Sequence, residues 1–593
     1  MLQFFKFTFA SMVGLLLAFL IGIFIIIGIA GSAKDTPEIE DNSVLHLKLN
    51  TPITERSSEN PLDDLDLPIS AGEPTSLGLI EILQGIKDAK EDTKIKGIYL
   101  NSKTVGAGFA ALQEIRDALV DFKKSGKFIV AYAEYYSEGA YYLASVADKI
   151  YLNPQGMMEL NGLSSEVTFI KGTLEKLEVK PMIFKVGDFK SAVEPLFLDK
   201  MSDPNRAQVT SYLNSVYDFY LKNVAVSRVI DLKDLTILSD SMTIRTPEDA
   251  LKYKLITHLG YEDEVEDEIK KTLKLTEKQK IKSVSITKYI KSQTEKTRSI
   301  APNRVAVLVA DGEIVDGKGE KGQIGTELAE ELRKLRKDDK VKAIVLRINS
   351  PGGSALTSDI IWREVVLTKK VKPIIASMSN VAASGGYYIA MACDTIVAQP
   401  NTITGSIGVF GVLFNAEGLL KNKIGVTTDR VSTGFYSDLG NPTHAMSETE
   451  GKIIQNSVER IYEDFTSKAA KGRKMTQDDL KKVASGRVWT GAQGKENGLV
   501  DVLGDFNTAI QIAAKKAKIE KDFSLRYYPA KKDFLQTLLN KSTETKAEIS
   551  SNAIQKAMKQ EMGEELYQQY QTIQKLKNMK GVQMRMPFDL NIK

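Results

Sequence analysis

Two segments of this chain are diverged copies of each other, held at a constant offset of 246 residues. Lys96-Gly-Ile-Tyr-Leu100 matches Lys342-Ala-Ile-Val-Leu346, and Glu138-Gly-Ala-Tyr-Tyr-Leu143 matches Ser384-Gly-Gly-Tyr-Tyr-Ile389. Phe189-Lys190-Ser191 matches Phe435-Tyr436-Ser437. A duplicated pattern of apolar positions dictates the same elements twice, so the chain is constrained to two similar units. Their chemistry has diverged. The second copy has a serine where the first has a glutamate, and the first has a lysine where the second has a tyrosine. That division predicts one composite site drawing on both copies.

Within each copy, short apolar runs alternate with stretches of helical spacing. In the first, residues 95–100, 127–132 and 149–152 read as strands, with helices between them. In the second, strands are expected at 305–310, 343–348, 373–378 and 395–398, with helices at 327–337 and 358–368 and another from Ser384. This alternation gives right-handed βαβ crossovers and a mostly parallel sheet, an α/β class. The expected organisation is a first repeat over residues 34–269, a Lys/Thr/Ser-rich linker over 270–304, a second repeat over 305–517, and a tail over 518–593. The tail holds a short strand near 523–528, then helical Gln/Lys/Met-rich sequence suited to packing against a neighbouring subunit.

The ends and composition narrow the setting. Residues 7–33 contain no charge and are rich in Leu, Ile, Phe and Val, longer than the ~20 apolar residues needed to cross a bilayer. A signal-peptide core is shorter, about 7–15 residues, although Gly31-Ser32-Ala33 would suit cleavage. An uncleaved anchor is therefore expected, with the body on the exported side. A net charge of +4 on 593 residues does not call for a nucleic-acid partner. The single cysteine, Cys393, reads as a buried helix end.

Ser384 lies between an expected strand and an expected helix, in Val381-Ala-Ala-Ser-Gly-Gly386. A nucleophile there would have the N–H groups of a helix start, Gly385 among them, to receive a developing oxyanion. Taken alone, Ser-Gly-Gly fits close helix–strand packing equally well. Ser350-Pro-Gly-Gly353 follows the strand at 343–348 and can turn the N–H of Gly353 outward as a second donor. The three histidines, His46, His258 and His444, lie beside neither glycine-rich segment, which argues against a Ser–His–Asp triad. A desolvated lysine can replace histidine as base, and Lys190 is the candidate. Ser406, in Thr404-Gly-Ser-Ile-Gly408, could orient it by hydrogen bonding. The spacing of Gly405, Gly408 and Gly411 is not that of a dinucleotide loop, and no zinc-spaced Cys/His set is present. No cofactor or metal is implied.

Taken together, Ser350-Pro-Gly-Gly353, Ala382-Ala-Ser-Gly-Gly-Tyr-Tyr388, Thr404-Gly-Ser-Ile-Gly408, Gly187-Asp-Phe-Lys-Ser-Ala-Val-Glu-Pro195 and Gly486-Arg-Val-Trp-Thr-Gly491 resemble the signal peptide peptidase A family in its long, duplicated form. The resemblance implies tandem ClpP/crotonase-like domains with a ββα-spiral core, and a membrane-anchored Ser/Lys-dyad endopeptidase. It implies Ser384 as nucleophile, Lys190 as general base, Ser406 orienting the lysine, and the N–H groups of Gly353 and Gly385 as the oxyanion hole. It further implies apolar peptide substrates, chiefly spent signal peptides, a groove lined by residues 409–414, and a homotetramer in a bacterial inner membrane. Two departures from the family pattern stand out: Glu138 at the first copy's serine position, and Phe189 where a tyrosine is usual. A non-catalytic scaffold on the same fold, and a crotonase-type acyl-CoA enzyme, are the competing readings.

Overall fold

The computed structural model describes residues 38–57, 76–294, 301–320, 322–530 and 582–586, with residues 6–7, 11–15 and 17 near the N-terminus. The expected anchor at 7–33 lies almost wholly outside these, as does the expected helical part of the tail. Among the described residues no helix is long and apolar enough to cross a membrane.

The duplication is visible as two sheets of the same strand order. The first runs His258–Leu259, Lys149–Met158, Phe128–Tyr136, Ile95–Leu100, Ser43–Leu47 and Lys282–Ser285, with every pairing parallel. The second repeats that order in Val502–Leu503, Thr395–Ala398, Ile374–Ala383, Val341–Ser350, Arg304–Asp311 and Ser524–Tyr528, again parallel, and adds Ile403–Gly405 beside Ile374–Ala383, with Val488–Thr490 antiparallel to Ile403–Gly405. Strands such as Val341–Ser350 are buried along nearly their whole length, as expected where helices cover both faces of a parallel sheet. The helix Leu79–Glu91 shows the supporting pattern, turning Leu79, Ile82, Ile86 and Ala89 into the first core.

Two features differ from the sequence reading. Part of the expected linker is integral to the first repeat: strand Lys282–Ser285 extends its sheet, and helix Ile286–Thr294 buries Tyr289 completely. Its lysines face outward while Ile286 and Tyr289 face inward, so a composition rich in Lys and Ser concealed a structured segment. The described end of the tail, Val582–Arg585, pairs with strands of its own chain.

The repeats are locked together by a buried ion cluster. Arg347, wholly buried on the second sheet, bonds Glu55 at 2.7 Å and Glu114 at 2.8 and 2.9 Å, both from the first repeat. Ser377 and Ser379 accept its remaining N–H groups at 3.0 Å, so all five guanidinium donors are satisfied. Asn380 of the second repeat caps helix Phe109–Lys123 by accepting from Ala111 N at 2.9 Å. The residue preceding that helix, Gly108, has no side chain to do so, and a Cβ there would stand 2.5 Å from Asn380 Oδ1.

A third sheet crosses between the repeats, in the order Gln323–Ile324, Glu313–Ile314, Gly352–Ser354, Val582–Arg585, Val409–Asn415, Lys180–Val186. Its last two strands, one from each repeat, pair antiparallel from Val409↔Val186 to Asn415↔Lys180. This pairing carries the first repeat's lysine loop to the second repeat's glycine-rich loop.

Candidate active site

Ser384 stands where strand Ile374–Ala383 ends and helix Gly385–Ala390 begins. Its backbone adopts φ 55° and ψ −113°, a conformation that costs a non-glycine residue about 1–3 kcal/mol and persists only when neighbours enforce it. They do so here through Ser384 N donating to Gly405 O at 2.8 Å and Tyr388 N donating to Ser384 O at 2.8 Å. Ser406 is also at positive φ, 49°, and is held by its N–H to Arg487 O at 2.7 Å. Both strained serines face the same lysine.

Lys190 follows the strand Lys180–Val186 and opens the short helix Ser191–Leu196. Its Nζ lies 2.9 Å from Ser384 Oγ, 3.0 Å from Ser406 Oγ and 3.1 Å from Ser406 O. All three residues are fully buried. Burial alone drives the Lys190 amine well below the usual lysine range, since no carboxylate offsets it. A neutral amine has two N–H groups and one lone pair. The Ser406 carbonyl can only accept, and Ser406 Oγ takes the second N–H, which leaves the lone pair for the Ser384 hydroxyl proton.

Backbone contact between the repeats holds the lysine. Phe189 N donates to Ser485 O at 3.1 Å. A Cβ at Gly187 would meet Ser485 O at 2.3 Å, and one at Gly486 would meet Lys190 N and Cβ at 2.7 Å. The glycines in Gly187-Asp-Phe-Lys and Gly486-Arg-Val-Trp therefore exist to let two loops touch. Gln208, wholly buried on helix Asp203–Arg228, spans the junction. Its amide donates to Phe189 O at 3.0 Å and Ser191 Oγ at 2.8 Å, and its carbonyl accepts from Val488 N at 3.1 Å. Sequence reasoning missed Gln208; a polar residue on the buried stripe of an amphipathic helix was the available signal.

Gly352 and Gly353, at φ 97° and 148°, form the strand beside the serine. Gly385 is close: a Cβ at Gly352 would stand 2.6 Å from Gly385 N. Ser384, Lys190 and Ser406 thus meet directly, with Gly385 next to the serine and Gly353 in the neighbouring strand. Their duplicated counterparts do not form a second pair. Glu138 accepts from the N–H groups of Asn161 and Gly162 at 2.8 and 2.9 Å, and burial raises its carboxyl. Ser137 caps the helix Glu138–Ala144, and Tyr436 is half exposed. Among the described residues, no group of His, Cys, Asp and Glu gathers in a way that would hold a metal.

A strained, buried serine paired with a desolvated amine on an α/β fold suits a serine hydrolase, and similarity to known proteins makes it a serine protease. The family model described as Peptidase family S49 matches residues 121–276 and 367–520, once in each repeat, and the chain belongs to that family. It is 38% identical to Protease 4 of Salmonella typhi over 488 residues, covering 80% of this chain and 78% of that one. It is 33% identical to Protease 4 of Haemophilus influenzae, covering 86% and 85%. It is 35% identical to the chloroplastic serine protease SPPA of Arabidopsis thaliana, covering 75% and 66%. Similar solved structures include a mutant of the 1510-N membrane-bound stomatin-specific protease, with TM-score 0.26 and 16% identity, covering 39% of this chain and 100% of that one. A ClpP1 mutant from Listeria monocytogenes gives 0.23 and 16%, covering 34% and 94%.

Proposed function

We propose that this chain is a membrane-anchored endopeptidase in which Ser384 is the nucleophile and Lys190 the general base, acting on apolar peptides such as signal peptides left in the membrane. The reading is carried by one observation, the 2.9 Å contact between Lys190 Nζ and Ser384 Oγ, both side chains being fully buried. Ser384 Oγ attacks the substrate carbonyl carbon as its proton passes to Nζ. The N–H groups of Gly353 and Gly385 receive the negative charge forming on the carbonyl oxygen. The lysine then gives its proton to the leaving amine, and the peptide's new C-terminus remains as an ester on Ser384. Water, deprotonated by the same amine, releases it. Ser406 keeps the lone pair aimed at the serine throughout.

Apolar substrates rest on the family resemblance; Phe410 and Val412 of the expected groove segment are themselves buried against Val193 and Leu196. Anchoring through residues 7–33, an exported body and a homotetramer rest on the hydropathy of the N-terminus and the family resemblance. The test is hydrolysis of an apolar fluorogenic peptide by Ser384→Ala and Lys190→Ala. Loss of the base should lower kcat by ~10²–10⁴-fold, and loss of the serine should also abolish labelling by an acylating serine probe. Full activity in either variant would overturn the assignment.

A further inference from the structure

The strand Val582–Arg585 lies between Gly352–Ser354 and Val409–Asn415, antiparallel to both. Its partners are Gly352↔Arg585, Gly353↔Met584 and Ser354↔Gln583 on one side, and Phe410↔Gln583 and Gly411↔Val582 on the other. Met586 N continues the ladder by donating to Pro351 O at 2.7 Å. Remove this strand and the flanking ones become two facing edges about 10 Å apart, a slot one extended chain wide. An edge with unpaired N–H and C=O groups accepts a peptide by strand addition.

The strand is also in register with the chemistry. A Cβ at Gly352 would stand 2.1 Å from the carbonyl oxygen of Met584 and 2.6 Å from Gly385 N, and one at Gly385 would stand 3.1 Å from the same oxygen, so that carbonyl lies close beside Gly385. Its side chains fill pockets on both sides. Met584 is buried in the second repeat's core, and Met586 packs against Val209 and Tyr212 of the first. Between them Arg585 turns the other way, to Glu313 at 2.9 Å.

We infer that the segment Val582–Met586 is a tethered ligand of the peptide-binding groove, seated as a substrate would be and competing with peptides from outside. This rests on the peptidase reading for the identity of the groove. The groove accordingly takes an extended peptide with unbranched apolar side chains at the places of Met584 and Met586, and Glu313 selects a basic residue between them. A tether holds its ligand at an effective concentration of about 1 mM. With a segment affinity of about 100 μM, outside peptide would bind roughly ten-fold more weakly than to an empty groove.

The experiment uses the full chain carrying Ser384→Ala, so that nothing is turned over, and a fluorescein-labelled synthetic peptide of residues 581–588. Affinity is compared in that background alone, with Met584→Asp, and with Arg585→Glu. Met584→Asp forces a carboxylate into an apolar pocket; Arg585→Glu, the milder change, opposes Glu313. Both should bind the peptide about ten-fold more tightly than the parent, and adding Glu313→Arg to Arg585→Glu should return binding toward the parent value. Equal binding by the parent and both variants, or no binding by any, would overturn the inference. In the active background Met584→Asp or Arg585→Glu alone should lower KM for an apolar peptide while leaving kcat unaltered. Should Ser384→Ala leave hydrolysis intact, the peptidase reading would fail, while the binding comparison would still decide the role of the tail strand.

Discussion

Replacing Gly486 with alanine tests whether contact between the repeats positions the lysine. Gly486 sits at φ +79°, and its Cβ would stand 2.7 Å from Lys190 N and Cβ and 2.8 Å from Lys190 Cα. These are backbone-anchored atoms, so no side chain can swing aside. Left-handed backbone costs an alanine about 1–2 kcal/mol, and overpacking adds about 1–3 kcal/mol. Restoring a carbon–carbon separation of about 3.5–4.0 Å requires the lysine loop to retreat by about 1 Å. The 2.9 Å contact between Nζ and Ser384 Oγ would then exceed hydrogen-bond range, and a misplacement of that size costs about 10²-fold in rate. The control is Gly498→Ala. Gly498 has φ +77°, and a Cβ there meets only Met475 side-chain atoms, at 3.7 Å or more, so it carries the same strain without touching the site. Measured together, kcat on an apolar fluorogenic peptide should fall about 100-fold for Gly486→Ala and stay near wild type for Gly498→Ala. Denaturation midpoints would report the strain common to both. If Gly486→Ala kept kcat within two-fold of its control, backbone contact would not be what places Lys190.

Two further outcomes follow from the same structure. Because Lys190 must be neutral to accept a proton, and burial lowers its pKa well below 10.5, kcat/KM should rise with pH along an acid limb set by that depressed value. A limb at the ordinary lysine position, or none that depends on Lys190, would contradict the desolvation account. Arg347→Met should destabilise the protein by about 3–5 kcal/mol in urea unfolding, because it leaves Glu55 and Glu114 buried without their cation. Desolvation already pushes the Glu114 carboxyl up to about 7 with the arginine in place. An Arg347→Met midpoint equal to wild type would show that the cluster does not hold the repeats together.

The apolar rhythm of each copy determined the two mostly parallel sheets, since the central strands are buried along most of their length and the pattern is local. Equivalent positions in the two copies became equivalent strands, and Ser384 fell at the expected strand-to-helix turn. Such features are written in windows of ten or so residues, where spacing, glycine and capping act directly. The helix ending in Thr294 escaped notice because its few inward residues were diluted by lysines. The meeting of Lys190 with Ser384 was foreshadowed only by the division of chemistry between the copies; no local pattern places them together. The tertiary structure decided it, through seven paired residues joining Lys180–Val186 to Val409–Asn415 and through glycines that let loops nearly 300 residues apart touch. The five-donor nest around Arg347 and the seating of Val582–Arg585 between two strands belong to the same class. Partners so distant in sequence are selected by burial and by unpaired backbone groups, quantities that exist only once the chain has closed on itself.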